Sequence, residues 1–367
     1  MIADTLKEKV GSISVFEQVA DMEHEQVVYC YDRSTGLKAI IAIHNTVLGP
    51  SMGGTRMWNY TTEEEAAIDV LRLSRGMTFK SSIAGLNIGG GKAVIIGDAR
   101  KLKNEALMRR FGRFIHSLGG KYVTAEDVNM TTRDMEYIRM ETPYVSGIPE
   151  NMGGSGDPSP VTAYGVYMGM KASQKKLTGS DSLENQRVLV QGVGNVGTNL
   201  IGLLEKEGAK IFVSDIFEDK LAQVVKNHKV TVIHPDDIFD SDVDVYAPCA
   251  LGGTLNDESI AKLKCGIVAG GANNQLLDEP RHGNMLIDKG IIYAPDFLIN
   301  GGGIINVYYE FAGNYNRDVV MKQTERIYDT CLLVLDKSTE DNLTPQEAAM
   351  TIATDRINSI AGIKTSM

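Results

Sequence analysis

The chain has 367 residues, 43% of them hydrophobic and 23% charged, the balance of an ordinary soluble globular protein with room for two domains. A net charge of −10 and a pI near 5.2 argue against a nucleic-acid or membrane partner, and no apolar run approaches the roughly 18–20 residues of a membrane span. The N-terminus shows no secretory h-region. Cys30, Cys249, Cys265 and Cys331 lack C-x-x-C spacing and the six histidines show no ligand pairing, so a reduced, cytoplasmic chain without metal is expected.

In chain order, residues 1–20 read as a helical lead-in. Residues 26–31 and 37–43, joined by Asp-Arg-Ser-Thr-Gly, predict a hairpin, and residues 48–56 concentrate turn formers. Thr62 fits an N-cap with acids in the first turn, and its helix is expected to reach about Gly76. Residues 77–92 follow, with Lys80 and Lys92 either side of a loop that narrows to Gly89, Gly90 and Gly91. A Gly triplet costs backbone entropy, which a tight turn or a molecule lying against the backbone would justify. Residues 92–96 read as a short buried strand. Desolvation and a second ammonium nearby would make a lysine there easier to deprotonate, and so usable as a base. On this stretch alone, two surface lysines flanking a turn is an equally good reading. A helix over 104–118 and a strand over 122–127, ending in Glu126 and Asp127, come next. The Gly-, Pro- and Ser-rich run 146–161 marks a domain junction, and a helix follows it from Val161 to about Leu177.

The second domain opens with a buried strand over 187–191. Gly192-Val193-Gly194-Asn195-Val196-Gly197 is G-x-G-x-x-G leading into a helix, and the next strand, 210–214, is ended by Asp215, 18 residues past the last glycine. Strand, Gly turn, helix and acid together form the dinucleotide fingerprint. The glycines admit a pyrophosphate to the helix N-terminus, and Asp215 would bond both ribose hydroxyls and repel a 2′-phosphate, favouring NAD over NADP. Strands over 243–247, 266–269 and 290–294, each running into polar or Gly-rich residues, extend a parallel doubly wound pattern. A further Gly triplet at 301–303 precedes a helical C-terminal section. The expected fold class is α/β in two domains: an N-terminal α/β substrate domain over 1–148 and a Rossmann-type doubly wound NAD-binding domain over 149–334, with a cleft between them. One lysine could neutralise the carboxylate of a small anionic substrate while the other exchanges protons, and Asp127 could carry protons or serve as a counter-ion. By themselves these residues indicate an NAD-linked oxidoreductase.

Seven ordered motifs, at 49–58, 76–80, 84–92, 124–127, 157–163, 247–251 and 298–307, resemble those of the glutamate/leucine/phenylalanine/valine dehydrogenase family, its leucine dehydrogenase branch most closely, over nearly the full length. The resemblance implies reversible oxidative deamination of an L-amino acid with NAD and water to a 2-oxo acid, ammonium and NADH. It implies that Lys80 binds the α-carboxylate, that Lys92 activates water, and that Asp127 moves protons at the amino nitrogen. Thr162 and Asn274 match positions that orient nicotinamide and substrate. Glutamate-specific members carry a lysine where this chain has Met52, before Gly53 and Gly54, and a hydroxyl residue where it has Val307. A pocket of Met52, Ile304 and Val307, with Met77, Ala125 and Gly303 also assigned to it, offers no partner for a second carboxylate, whose unpaired burial costs several kcal/mol. Ile304 and Ala125 argue for a pocket too small for a phenyl ring, although a methylene or two shifts specificity by only about 1–3 kcal/mol. Met52 and Ile304 stand where that branch commonly has Leu and Val, which bears on the preferred chain length and not on the chemistry. The expected substrates are therefore L-leucine, valine and isoleucine. A phenylalanine- or tryptophan-preferring enzyme is the alternative. A non-catalytic NAD-binding sensor is the remote one, disfavoured by the intact Lys80, Lys92 and Asp127. The resemblance further implies a homo-oligomer, usually an octamer, with helices of about 335–367 packing back on the first domain.

Overall fold

A computed structural model describes residues 15–313 and 315–365. Of the helical lead-in, residues 1–14 lie outside the described residues, and Val15–Asp21 is a helix. The chain divides into two compact units, one made of residues up to Thr78 with Asn87–Gly154, the other of Phe79–Leu86 with the chain from Ser155 onward. The sequence suggests a boundary near residue 148 with helices of about 335–367 returning to the first domain; in this division residues 79–86 and the C-terminal helices both group with the chain from Ser155 onward. Among the described residues no helix is long and apolar enough to cross a membrane.

In the first unit β1 (Gln26–Asp32) and β2 (Leu37–Asn45) form the expected antiparallel hairpin. With β3 (Ser51–Met52), β4 (Thr55–Trp58), β5 (Gly89–Ile96) and β6 (Tyr122–Val123) they make one mixed sheet, ordered β1-β2-β5-β3-β6 with β4 also on β5. Strand alternation sends Ile40, Ala42 and Val94 to one face, where Ala66, Ala67, Val70 and Leu71 of the helix Glu63–Ile83 cover them. Ile41, Ile43 and Ile95 face the other way, onto Phe111, Ile115, Met135 and Ile138 of the helices Glu105–Ser117 and Thr132–Arg139. Each such side chain fully buried contributes roughly 1.5–3 kcal/mol. Past β6, Thr124 and Glu126 are held by single bridges to Val145 and Thr55, so the expected strand over 122–127 is regular only at its start.

Two expectations for residues 77–92 are corrected. The helix passes through Gly76 to Ile83, so Lys80 stands on its last turn, and the Gly triplet lies in β5 and not in a turn. Packing explains the triplet: a Cβ on Gly90 would lie 2.1 Å from Thr78 Oγ1 and 2.6 Å from Ser74 O, and one on Gly89 would lie 1.7 Å from Asn45 O. The molecule lying against these glycines is the chain's own helix and neighbouring strand.

In the second unit β7 (Arg187–Gln191), β8 (Lys210–Ser214), β9 (Val230–Val232), β10 (Val245–Pro248), β11 (Ile267–Val268) and β12 (Ile292–Tyr293) form a parallel sheet ordered β12-β11-β10-β7-β8-β9. This is the doubly wound order, with its switch point between β7 and β10. Leu189, Tyr246, Val268 and Tyr293 pack with Leu255, Ile260 and Leu286 on one face. The last helix, Pro345–Thr365, joins the segment 79–86 in this unit: Arg356 Nη1 donates to Ser82 O at 3.1 Å and Leu86 O at 2.8 Å, and Ser82 Oγ donates to Ala353 O at 2.7 Å. A guanidinium on the last carbonyls suits the helix dipole of Glu63–Ile83.

Candidate active site

Lys92, in the middle of β5, is 6% exposed. Its Nζ lies 3.0 Å from Asp127 Oδ2, and the same oxygen accepts Nε of Arg56 at 3.1 Å. Arg56 Nη1 reaches Asp69 Oδ2 at 3.0 Å, and Tyr60 donates to that oxygen at 2.6 Å. Two basic and two acidic groups thus alternate, which makes the burial of Lys92 and the partial burial of the other three tolerable. Burial pushes the Asp127 carboxyl up, but Lys92 and Arg56 outweigh it and hold the group below the usual carboxylate range, so it is ionised at neutral pH. Burial lowers the Arg56 guanidinium, and Asp127 and Asp69 more than reverse this. The neighbour of Lys92 is therefore a carboxylate backed by a guanidinium.

Glycines let these segments close. A Cβ on Gly54 would meet Glu126 O at 2.4 Å and Asp127 Cβ at 2.9 Å, and one on Gly53 would meet Gly91 O at 1.8 Å and Met77 Cγ at 3.2 Å. Gly53 N donates to Val123 O at 3.1 Å and Thr55 N to Ala125 O at 2.8 Å, which sets Asp127 beside β4. Met52 is fully buried and Ala125 nearly so. Met52, Gly53, Gly54, Met77, Ala125, Lys92 and Asp127 all belong to the first unit.

Lys80 belongs to the second unit with Thr162, Asn274, Gly303, Ile304 and Val307. Lys80 Nζ donates to Asn273 Oδ1 at 3.1 Å, which also accepts Asn300 Nδ2 at 2.8 Å. Close by, burial pushes the Asp296 carboxyl up, opposed by the Gln275 N–H, 2.9 Å from Oδ2, and by the charge of Lys80. Asn274 is exposed at φ 52°, a left-handed conformation that Asn tolerates. Its carbonyl is held by Gly253 N at 2.7 Å. Thr162 lies in the first turn of Ser159–Thr178, and a Cβ on Gly303 would sit 3.1 Å from its Oγ1. Ile304 and Val307, both largely buried, are one turn apart on Gly302–Phe311.

The Gly-rich loop fits a dinucleotide. Gly192 has φ 98° and backs onto Ala250, and Gly197 lets the helix close on Gly192, where a Cβ would lie 2.0 Å from its carbonyl oxygen. A Cβ on Gly194 would meet nothing within 4 Å, which leaves room for a phosphate. The helix Asn195–Glu207 carries no side-chain cap, so its leading N–H groups suit an anion. Asp215, past the end of β8, accepts Val193 N at 2.8 Å and Phe217 N at 3.0 Å, which ties the acid to the loop.

Residues 24–144 match the Glu/Leu/Phe/Val dehydrogenase dimerisation domain, and residues 153–217 and 213–361 match the Glutamate/Leucine/Phenylalanine/Valine dehydrogenase family. The chain belongs to this family. It is 53% identical to leucine dehydrogenase of Geobacillus stearothermophilus over 95% of this chain and 94% of the relative. It is also 53% identical to leucine dehydrogenase of Thermoactinomyces intermedius over 94% of each chain. The crystal structure of L-tryptophan dehydrogenase from Nostoc punctiforme superposes with a TM-score of 0.84 at 45% identity, covering 95% of this chain and 100% of that one. The expected family and two-domain α/β class are borne out.

For this family member the sequence reading missed Arg56, Tyr60, Asp69, Asn273 and Asn300. Arg56 was within reach, since it lies inside the motif 49–58. Asp69 gives no sequence signal, because an acid on a helix is ordinarily a solvated one, and only the fold brings it to Arg56.

Proposed function

We propose that this member of the family catalyses the reversible, NAD-dependent oxidative deamination of branched-chain aliphatic L-amino acids, L-leucine with valine and isoleucine, to 2-oxo acids, ammonia and NADH. The observation that carries the reading is the contact of the buried Lys92 with the half-buried Asp127, 3.0 Å apart, in a chain 53% identical to a leucine dehydrogenase. Lys80 binds the substrate α-carboxylate. When bound, the nicotinamide supplies the acceptor for the hydride of the α-carbon. Lys92 first passes a proton to the ionised Asp127 across their 3.0 Å contact; the neutral amine then takes a proton from the water that attacks the imino carbon, and Asp127 delivers its proton to the amino nitrogen, which leaves as ammonia. The Gly192–Gly197 loop holds the pyrophosphate, Asp215 the ribose, and Thr162 and Asn274 orient the nicotinamide against the substrate.

Met52, Ile304 and Val307, the residues assigned to side-chain recognition, are all apolar and offer no partner for a second carboxylate, whose unpaired burial would cost several kcal/mol. An aromatic substrate is the second reading, favoured by the likeness to a tryptophan dehydrogenase at 45% identity. Homo-oligomerisation, to an octamer by family resemblance, and a cytoplasmic setting complete the proposal. An amino-acid panel assayed with NAD and NADP tests it. NAD reduction with leucine, valine and isoleucine is expected, with near-silence on L-glutamate; robust glutamate turnover overturns it, and a higher kcat/KM for phenylalanine than for leucine selects the second reading.

A further inference from the structure

We infer that Arg56, held by Asp69 and Tyr60, is a positioning residue that fixes the Asp127 carboxylate independently of Lys92. The inference rests on the catalytic reading of Lys92 and Asp127 given above. Asp127 Oδ2 has two donors, Lys92 Nζ at 3.0 Å and Arg56 Nε at 3.1 Å. If Lys92 must turn its nitrogen to a water or a substrate, a carboxylate tied to it alone would lose both its charge partner and its orientation. Arg56 removes that dependence. Its planar fork spends one edge on Asp127 and another on Asp69, 3.0 Å away, which a single ammonium could not do with the same geometry. Asp69 is anchored in turn by the Tyr60 hydroxyl at 2.6 Å, and burial followed by Asp69 pushes that phenol up, so it remains a donor. Tyr122, which also senses the charge of Asp127, is committed elsewhere, its hydroxyl donating to Gly53 O at 2.7 Å. Asp69 stands on the helix Glu63–Ile83 and Arg56 on β4, so the support comes from two rigid elements.

The test is the pH dependence of kcat and kcat/KM for L-leucine in full-length variants, with thermal melts as a control on folding. Arg56→Gln should move the acid limb of kcat/KM up by about one pH unit and lower kcat about tenfold, because Asp127 loses a cationic partner. Arg56→Lys should return the limb toward the parent position while leaving kcat low. A profile in Arg56→Gln that superimposes on the parent overturns the inference. Should that variant fail to fold, Tyr60→Phe decides: kcat reduced about threefold with unchanged KM is expected from a loosened hydrogen bond, and parent kcat overturns it. Asp127→Asn separates the two levels. Retained turnover there sinks the functional reading itself, whereas lost turnover beside parent-like Arg56 and Tyr60 variants sinks only the role of Arg56.

Discussion

Removing one member of a buried ion pair costs more than the pair contributes, because the survivor is left charged and poorly solvated. Lys92→Ala would leave Asp127 with Arg56 alone, so the proposed chemistry predicts abolished turnover together with a lowered melting temperature. NADH binding, followed by fluorescence titration, should persist, since the Gly192–Gly197 loop belongs to the other unit. Measurable deamination by this variant would refute the role given to Lys92. The proposed preference for NAD is likewise argued from a single residue. Asp215 braces Val193 N through Oδ2 at 2.8 Å and in the proposal also repels a 2′-phosphate. Asp215→Asn keeps an acceptor for Val193 and removes the charge. The ratio of kcat/KM for NAD over NADP should then fall by roughly tenfold or more, as relief of like-charge repulsion requires; an unchanged ratio would place cofactor discrimination elsewhere.

At the scale of elements, the crossing of the helix Glu63–Ile83 over β5 gives opposite meanings to two glycines. Gly90 is enclosed, its would-be Cβ 2.1 Å from Thr78 Oγ1 and 2.2 Å from Thr78 N. Backbone cannot swing aside as a side chain can, so Gly90→Ala should cost at least the roughly 1–3 kcal/mol of an overpacked core. Gly76, on the exposed side of the same helix, would meet nothing within 4 Å. Gly76→Ala should therefore stabilise by roughly 0.5–1 kcal/mol through helix propensity. Urea unfolding of the two variants checks the pair, and equal effects would mean that the crossing is looser than described. The same elements show what the sequence made legible. The hairpin, the β7–Gly loop–helix unit and the helix start at Thr62 are local patterns, and each was readable from neighbours in the chain. The end of that helix was not. Gly76 looks like a terminator by propensity, but tertiary contacts of Thr78 and Ser82 carry the helix to Ile83. The Gly triplet likewise follows from a partner more than ten residues away in sequence.

For the whole molecule, the family and the two-domain class were legible because long ordered motifs and β/α spacing survive reading in one dimension. The Arg56–Asp69 contact and the division that places 79–86 with the C-terminal helix were not, since both depend on how distant segments meet. A buried histidine pair, equally invisible in the sequence, bears on global stability. His24 Nε2 meets Ser74 Oγ at 2.7 Å and His44 Nδ1 meets Thr78 Oγ1 at 2.8 Å, with the two rings edge to face at 4.8 Å. Burial lowers both to about 4, helped by the charge of Arg75 and, for His44, by His24 itself. The unfolded chain binds these protons near the ordinary value of about 6.5. Above that pH both states hold neutral imidazoles and the histidine contribution to stability is complete. As pH falls from about 6.5 toward about 4, the unfolded state takes up two protons that the folded state refuses, and the contribution is progressively lost. Asp127, held low, gives up its share only at more acid pH. The melting temperature should therefore drop steeply across that window, and the double variant His24→Gln, His44→Gln should flatten the drop whatever its own stability at neutral pH. An equally steep slope in the double variant would move the acid sensitivity to other groups.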